Sequence, residues 1–383
     1  MSAEKPSVVV VGGGYAGVMA ANRMQGSGQA AVTLVNPRKH FVERIRLHQL
    51  AISDDDAIED YASLLNAGVR LVVDLAQHID RHTRKVELAS GAALSYDYLV
   101  YAVGSTGTIP AGVSGAVANA FPLSELEQAE RLRSRLAQVP TSAPIVVVGG
   151  GLTGIETAAE FAEAGRDVTL VSRQIAPSLS RLGKQSITSR LTALGVRLIE
   201  GEGAHVSLVG VDSVELIDGR RLPSVVTVWT AGFGVPGLAN ASGLTTDPLG
   251  RLVTDESLTS IDDPRIVATG DAAAPSGMPY RMSCQTGLPL GAHAGDAVLR
   301  QISGDGTREI AIPVVVQCIS LGRGAGTIQL QRNNETPLGV YVGGRPGAFV
   351  KERVCRQTLR WLSDEAEKPG SYKAMWAPRR VLK

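Results

Sequence analysis

Cysteine is scarce in this chain. Its 383 residues include three, Cys284, Cys318 and Cys355, and none is spaced as CxxC or CxxxxC. An odd, scattered set argues against a disulfide framework, a zinc site and a redox-active dithiol. The six histidines form no HxH or HExxH pattern, so no metal site is expected. Aromatic residues make up only 4%, too few to suggest stacking platforms for single-stranded nucleic acid. Neither sign of charge dominates: 38 Lys and Arg face 37 Asp and Glu, a net of +1. Nothing in that balance asks for a nucleic-acid partner. No apolar run approaches the ~20 residues needed to span a membrane. The N-terminus runs from Met1 through Pro6 straight into Ser7–Val11, without a secretory pattern. The expected location is therefore the cytoplasm.

Glycine, by contrast, is abundant: 43 residues, many in tight clusters. At ~150 residues per domain the length predicts two or three domains. The strongest feature is an internal repeat. Val8-Val9-Val10-Val11-Gly12-Gly13-Gly14-Tyr15-Ala16-Gly17 recurs 137 residues later as Ile145-Val146-Val147-Val148-Gly149-Gly150-Gly151-Leu152-Thr153-Gly154. Each copy passes from a β-branched run through glycines into an Ala-rich helical stretch, Val18–Met24 and Ile155–Ala164. Each is followed by a second apolar strand, Ala31–Val35 and Asp167–Val171. Two βαβ units are the economical reading. Further buried strands are predicted at Tyr96–Ser105, Val225–Gly232 and Arg265–Ala273. After Pro313 the pattern becomes strand-like (Val314–Gln317, Thr327–Leu330, Gly339–Val342) and closes with a polar helix over Phe349–Glu367. Breaks near 113, 233 and 310 would leave the second unit inserted in the first.

Gly12, Gly14 and Gly17 fit GxGxxG between a strand and a helix, and Gly149, Gly151 and Gly154 repeat it. The first glycine permits the tight turn, the second lets a pyrophosphate approach the backbone, and the third lets helix pack on strand. Phosphates then sit on unpaired N–H groups at the positive end of the helix dipole. Two dinucleotide sites imply a donor and an acceptor. In the second copy Ser172 and Arg173 stand where NAD sites favour an acid; an arginine suits a 2′-phosphate, which favours NADPH over NADH. The alternative is that Arg173 stacks on adenine or is simply solvated.

The motifs Gly12–Gly17, Tyr96–Ser105, Gly149–Glu156, Trp229–Gly232 and Ala268–Ala274, in that order, resemble the flavoproteins with two dinucleotide-binding domains, of pyridine nucleotide-disulfide oxidoreductase type. Within them the chain looks most similar to the type II NADH dehydrogenases and the apoptosis-inducing-factor-like oxidoreductases. The resemblance implies an α/β fold of two Rossmann-like domains in three ββα layers, one inserted in the other, plus a C-terminal α+β domain. An FAD-binding domain would span 1–113 and 234–309, an NAD(P)H-binding domain 114–233, and an interface or acceptor domain 310–383. It implies FAD at the first site, NADPH or NADH at the second, and hydride transfer between them, the cofactors carrying the chemistry.

Carried onto this chain, the resemblance places Tyr15, Ala16, Ala102, Gly104, Gly232 and Gly270 around the cofactors. Asp271 would bind the ribityl chain, although alone it reads as a cap or turn residue. A helix over Gln285–Arg300 would aim its N-terminus at the flavin pyrimidine. The usual ribose-binding acid is replaced by Asn36, followed by Arg38 and Lys39. Glu156 would lie near the nicotinamide, or else is an acid favoured by the helix dipole. The cysteine pair of the disulfide reductases is absent; that segment reads Phe41–Leu50, which disfavours a disulfide substrate. Within it Arg44 and His48, four apart, would share a helix face and stabilise reduced flavin or bind an acidic substrate, unless they form salt bridges on a solvated helix. A covalent flavin link at His48 is the remote variant. The quinone-pocket motif Ala-Gln-x-Ala-x-Gln-Gln-Gly of the type II enzymes is matched at Gln285 and Gly291, with Pro289 and Leu290 replacing the paired glutamines. Cys284 reads as a small buried residue.

Residues 351–383 carry nine Lys or Arg against four acids, a net +5. Val350, Val354, Leu359, Trp361 and Leu362, with Trp376 beyond, form a short apolar stripe. It would pack on the protein body, or lie on an anionic membrane. The expected partner is a small-molecule, quinone-like electron acceptor, with a homodimer and weak contact at the inner membrane face left open. The competing readings are a reductase of a carrier protein such as a ferredoxin, a flavin oxidase or dehydrogenase in specialised metabolism, and a redox-sensing protein.

Overall fold

The computed structural model describes residues 5–53 and 56–373. Val8–Val11 are buried on both faces, as β-branched runs are in a parallel sheet covered on each side. Their strand, Ser7–Val11, lies at the centre of a five-stranded parallel sheet ordered Ile266–Ala268, Tyr98–Tyr101, Ser7–Val11, Ala31–Asn36, Arg70–Val73. The second copy builds the same sheet: Ala120–Pro122, Val226–Trp229, Pro144–Val148, Asp167–Ser172, Arg197–Glu200. Each unit also carries a three-stranded antiparallel meander, over Ala76–Ser95 and Val206–Pro223. The short pair Thr106–Gly107 and Phe233–Gly234 joins the two crossings between the units.

The repeated glycines act as their positions require. Gly12 and Gly149 have φ of +108° and +122°, a region that side chains avoid. A Cβ on Gly17 would overlap the Gly12 carbonyl oxygen, and one on Gly154 the Gly149 carbonyl oxygen. The helices start earlier than the apolar pattern indicates, at Tyr15 and Leu152, directly after Gly14 and Gly151. The long helix Cys284–Ser303, capped by the Ser283 hydroxyl accepting the Thr286 N–H, packs on helix Tyr15–Gly26. Close approach depends on small residues: a Cβ on Gly291 would overlap the Ala16 carbonyl, and one on Gly295 would come within 2.9 Å of the Arg23 side chain.

The C-terminal piece is an antiparallel sheet, Val316–Ser320, Gly326–Gln331 and Pro337–Gly343, followed by helix Gly344–Glu367. That helix begins five residues before its predicted start. It packs on the body, but by only part of the expected stripe, Leu359 and Leu362. Its buried face is Gly347, Cys355, Thr358, Leu362, Glu365 and Ala366, whereas Val350 and Trp361 are exposed. It reaches the first unit through Asn22 Nδ2, which donates to the Leu362 carbonyl, and through the buried ion pair Arg23–Glu365 at 2.8 Å. Trp376, Arg379, Arg380 and Lys383 lie outside the described residues, as do Met1–Glu4.

Candidate functional site

A cavity of about 490 Å³ opens where the three pieces meet. Its floor is the turn and first residues of helix Tyr15–Gly26, with Gly14, Tyr15 and Ala16. Ala102, Gly104, Gly270 and Asp271 line one wall, Leu152, Thr153 and Glu156 another, and Gln285 and Lys351 close it from the two long helices.

The Asp271 carboxylate is buried and accepts from Ser105 Oγ at 2.6 Å and from the Ser283 N–H at 3.0 Å, so it also anchors the start of helix Cys284–Ser303. Burial raises its pKa, against the pull of Ser105 and Arg44. Arg44 reaches the same network, donating to the Ser105 carbonyl at 2.7 Å and the Ser124 carbonyl at 3.0 Å. Arg44 and His48 do not share a helix. Arg44 opens a 3₁₀ turn, Arg44–Arg46, and His48 sits in the one-turn helix Leu47–Leu50. Both still face the cavity, and neither lies on a solvated helix. His48 is 4% exposed, and burial lowers its pKa to about 4, so its imidazole is neutral.

Glu156, on the second cradle helix, accepts from the Ser320 N–H at 2.8 Å and from Lys351 Nζ at 3.0 Å. Burial pushes its carboxyl up, but Lys351, His48 and the Ser320 N–H together outweigh it and hold the pKa below the usual range. Lys351 also donates to the Cys318 carbonyl. Burial disfavours its charge, yet Glu156 keeps its pKa above the usual lysine value. Lys351, one of the nine basic residues of 351–383, is turned into the cavity wall rather than to solvent. The three cysteines, scattered along the chain, all line this cavity. Burial pushes the thiols of Cys284 and Cys318 to about 12 and about 11, and raises Cys355, so they are neutral apolar groups. Among the described residues no cluster of His, Cys, Asp and Glu is placed to hold a metal.

The first cradle fits a dinucleotide. Gly14 and Gly151 are the positions where a Cβ would meet nothing within 4 Å, while their neighbours are crowded by backbone or side chains. No side chain caps either helix, so the first-turn N–H groups are available to an anion. Three buried polar atoms on the cavity wall, Tyr15 Oη, His48 Nε2 and Thr269 Oγ1, have no hydrogen-bond partner among the described residues. A flavin's polar ring and sugar atoms are the kind of partner they lack.

Other candidates stand back from the cavity. Asn36 is committed: its Oδ1 accepts the Gly13 N–H and its Nδ2 donates to the Arg38 carbonyl, so it shapes the cradle. Tyr61, which no motif singled out, braces the same turn by donating to the Gly13 carbonyl at 2.7 Å. Gly149, Gly151, Gly154 and Ser172 form the second cradle beyond the cavity wall. Gly232 packs on Thr108 with φ +88°. Arg173 is solvated and paired with Glu202 at 2.9 Å.

With this geometry in place, comparison with known proteins is decisive at the family level. Residues 6–295 match the pyridine nucleotide-disulphide oxidoreductase family. The chain belongs to that family. An NADH dehydrogenase-like protein of Mycobacterium tuberculosis is 31% identical over 345 residues, covering 82% of this chain and 85% of the relative. A type II NADH:quinone oxidoreductase of Staphylococcus epidermidis is 24% identical, covering 92% and 95%. Among solved structures, the sulfide:quinone oxidoreductase of Aquifex aeolicus superposes with a TM-score of 0.80 at 18% identity, covering 95% and 93%; that likeness is one of fold. As a member of the pyridine nucleotide-disulphide oxidoreductases the chain is an FAD-dependent NAD(P)H oxidoreductase.

Proposed function

We propose that this enzyme delivers electrons from NAD(P)H, by way of FAD, to a quinone-like small organic acceptor bound in the central cavity. The carrying observation is the cavity itself: apolar, formed by both cradle helices and roofed by helix Gly344–Glu367, with the Glu156–Lys351 pair and neutral His48 in its wall. Bound FAD supplies the hydride and electron chemistry. Reducing a quinone to a hydroquinone takes two electrons and two protons; the hydride taken from NAD(P)H carries both electrons and one of the hydrogens, so one further proton is needed. Lys351, which keeps its charge in the cavity wall, is the group there that could supply it and be reprotonated from solvent. Neutral His48, whose Nε2 has no partner among the described residues, can hydrogen-bond an acceptor oxygen instead. Asp271 and Arg44, tied through Ser105, are placed to fix the cofactor's orientation. Pro289 lacks an N–H, which leaves the Gln285 carbonyl without its helical donor on the cavity side. In this reading 1–113 with 234–309 form the FAD unit, 114–233 the NAD(P)H unit and 310–383 the acceptor unit.

The same reading places the enzyme in the cytoplasm, touching the inner membrane face. Support comes from the exposed Phe349, Val350 and Trp361 interleaved with Arg345, Arg353 and Arg360 on the C-terminal helix. Among the described residues no helix is long and apolar enough to cross a membrane.

The test is anaerobic rapid mixing of the flavin-loaded protein with NADH and, separately, NADPH, followed by menadione or a ferredoxin. Bleaching of the flavin by nucleotide and rapid recovery with menadione are expected. Failure of both nucleotides to bleach it refutes hydride transfer, and recovery with ferredoxin alone refutes the small-molecule acceptor.

A further inference from the structure

The second cradle carries an acid that no dinucleotide motif contains. Arg173 follows directly on strand Asp167–Ser172, and its Nε donates to Glu202 at 2.9 Å. Glu202 belongs to the turn after the neighbouring strand, Arg197–Glu200. That turn is held in place. Gly201 has φ +128°, and its N–H donates to the Arg173 carbonyl. A Cβ on Gly203 would overlap the Asp218 side chain. The Arg173 loop is equally fixed against the cradle, because the Ala176 N–H donates to the Gly150 carbonyl at 2.8 Å and the Ile175 N–H to the Glu200 carboxylate at 2.8 Å. Ser172 Oγ donates to the Gln174 carbonyl, which leaves its lone pairs to accept from a sugar hydroxyl.

We infer that Glu202 sets the coenzyme preference of the second cradle, neutralising Arg173 and turning the site away from a 2′-phosphate toward the plain ribose of NADH. This rests on the reading of the second cradle as the NAD(P)H site. A 2′-phosphate seeks a guanidinium with free donors. Here the Arg173 Nε already serves a carboxylate of the same sign as the phosphate, so the pair is locally neutral, although the terminal nitrogens keep their donors. Lys184, near the same edge, is already paired with Glu200 at 2.6 Å and offers no uncompensated charge. Because Arg173 and Glu202 are both exposed, the discrimination is of the modest size that solvent-screened charges allow, and it falls with salt.

The test measures binding of 2′,5′-ADP and of 5′-AMP to the FAD-loaded protein by calorimetry, alongside NADPH and NADH kinetics. Glu202 is exposed and off the core, so Glu202→Gln folds. That variant should bind 2′,5′-ADP about fourfold more tightly, ~0.8 kcal/mol, with 5′-AMP changed less than about 1.5-fold. The gain should vanish in the double variant R173A/E202Q and shrink at about 0.5 M salt. A gain in E202Q below about twofold overturns the inference. So does a gain that survives loss of Arg173. If neither nucleotide fragment binds the native protein nor competes with NADH, the nucleotide reading of the second cradle falls, and this inference falls with it.

Discussion

Lys351→Met tests the centre of the site most directly. Methionine keeps much of the side chain's length and removes the charge. Glu156 would retain the Ser320 N–H at 2.8 Å and lose the ion pair at 3.0 Å, in a place where the two side chains are 10% and 16% exposed. Removing one partner of a buried pair costs on the order of 3–5 kcal/mol, because a buried charge is left without compensation. The pH dependence should change sign as well. In the native enzyme the depressed Glu156 pKa supports folding above the unfolded value of ~4.3, and that support is lost as pH falls through the folded pKa. Burial is the largest influence on this carboxyl and acts upward, with Lys351 the foremost counterweight. In K351M the folded pKa therefore rises above ~4.3. Stability is then whole below that value and drains as pH increases through the raised pKa, by up to ~1.4 kcal/mol per pH unit. Urea unfolding between about pH 5 and pH 8 reads this directly, as a midpoint that falls with pH in the variant relative to the native enzyme. The double variant E156Q/K351M should recover ~2 kcal/mol of the loss, since glutamine carries no charge to strand. If K351M costs under ~1 kcal/mol, or the two substitutions add within ~0.5 kcal/mol, the pair is not coupled and the reasoning is wrong.

Three further outcomes are expected. His48, held to about 4 by burial against an unfolded value of ~6.5, makes stability whole above ~6.5 and declining as pH falls toward the folded pKa; His48→Gln should flatten that acid-side decline in thermal melts, and an unchanged slope would assign it to other groups such as His293. Gly14→Val occupies the open space at the start of helix Tyr15–Gly26 without striking protein atoms within 4 Å of the first added carbon. It should fold normally yet purify with little flavin, and a full yellow chromophore at 450 nm, about the flavin maximum, would show that this turn does not hold the pyrophosphate. Gly291→Val forces a side chain into the Ala16 carbonyl and should destabilise the protein by about 1–3 kcal/mol while lowering flavin content, because the same helix bounds the cradle.

Legibility in the sequence tracked the range of the interactions. The two cradles were readable because a strand, a glycine turn and a helix are written within some thirty residues. Asp271 was readable only through its motif; it faces the cavity and also anchors the start of helix Cys284–Ser303. Arg44 and His48 line one cavity but do not share a helix face, because the chain bends between a 3₁₀ turn and a single helical turn that no period announces. Asn36, which stands where the usual ribose-binding acid is absent, accepts the Gly13 N–H, a contact no motif announces. Neither the Arg173–Glu202 pair nor the meanders of the two units left a local signal.

By itself the sequence settled the two parallel sheets, their glycine turns and the family, since these follow from side-chain size and backbone freedom over short stretches. Tertiary structure alone decided which charges are buried. The Ser320 N–H lies 164 residues from Glu156, and Lys351 comes from a helix whose composition reads as surface. Three distant cysteines become a neutral apolar wall for the same reason: the dielectric around a group is set by what packs over it, and here that cover is assembled from three separate pieces of the chain.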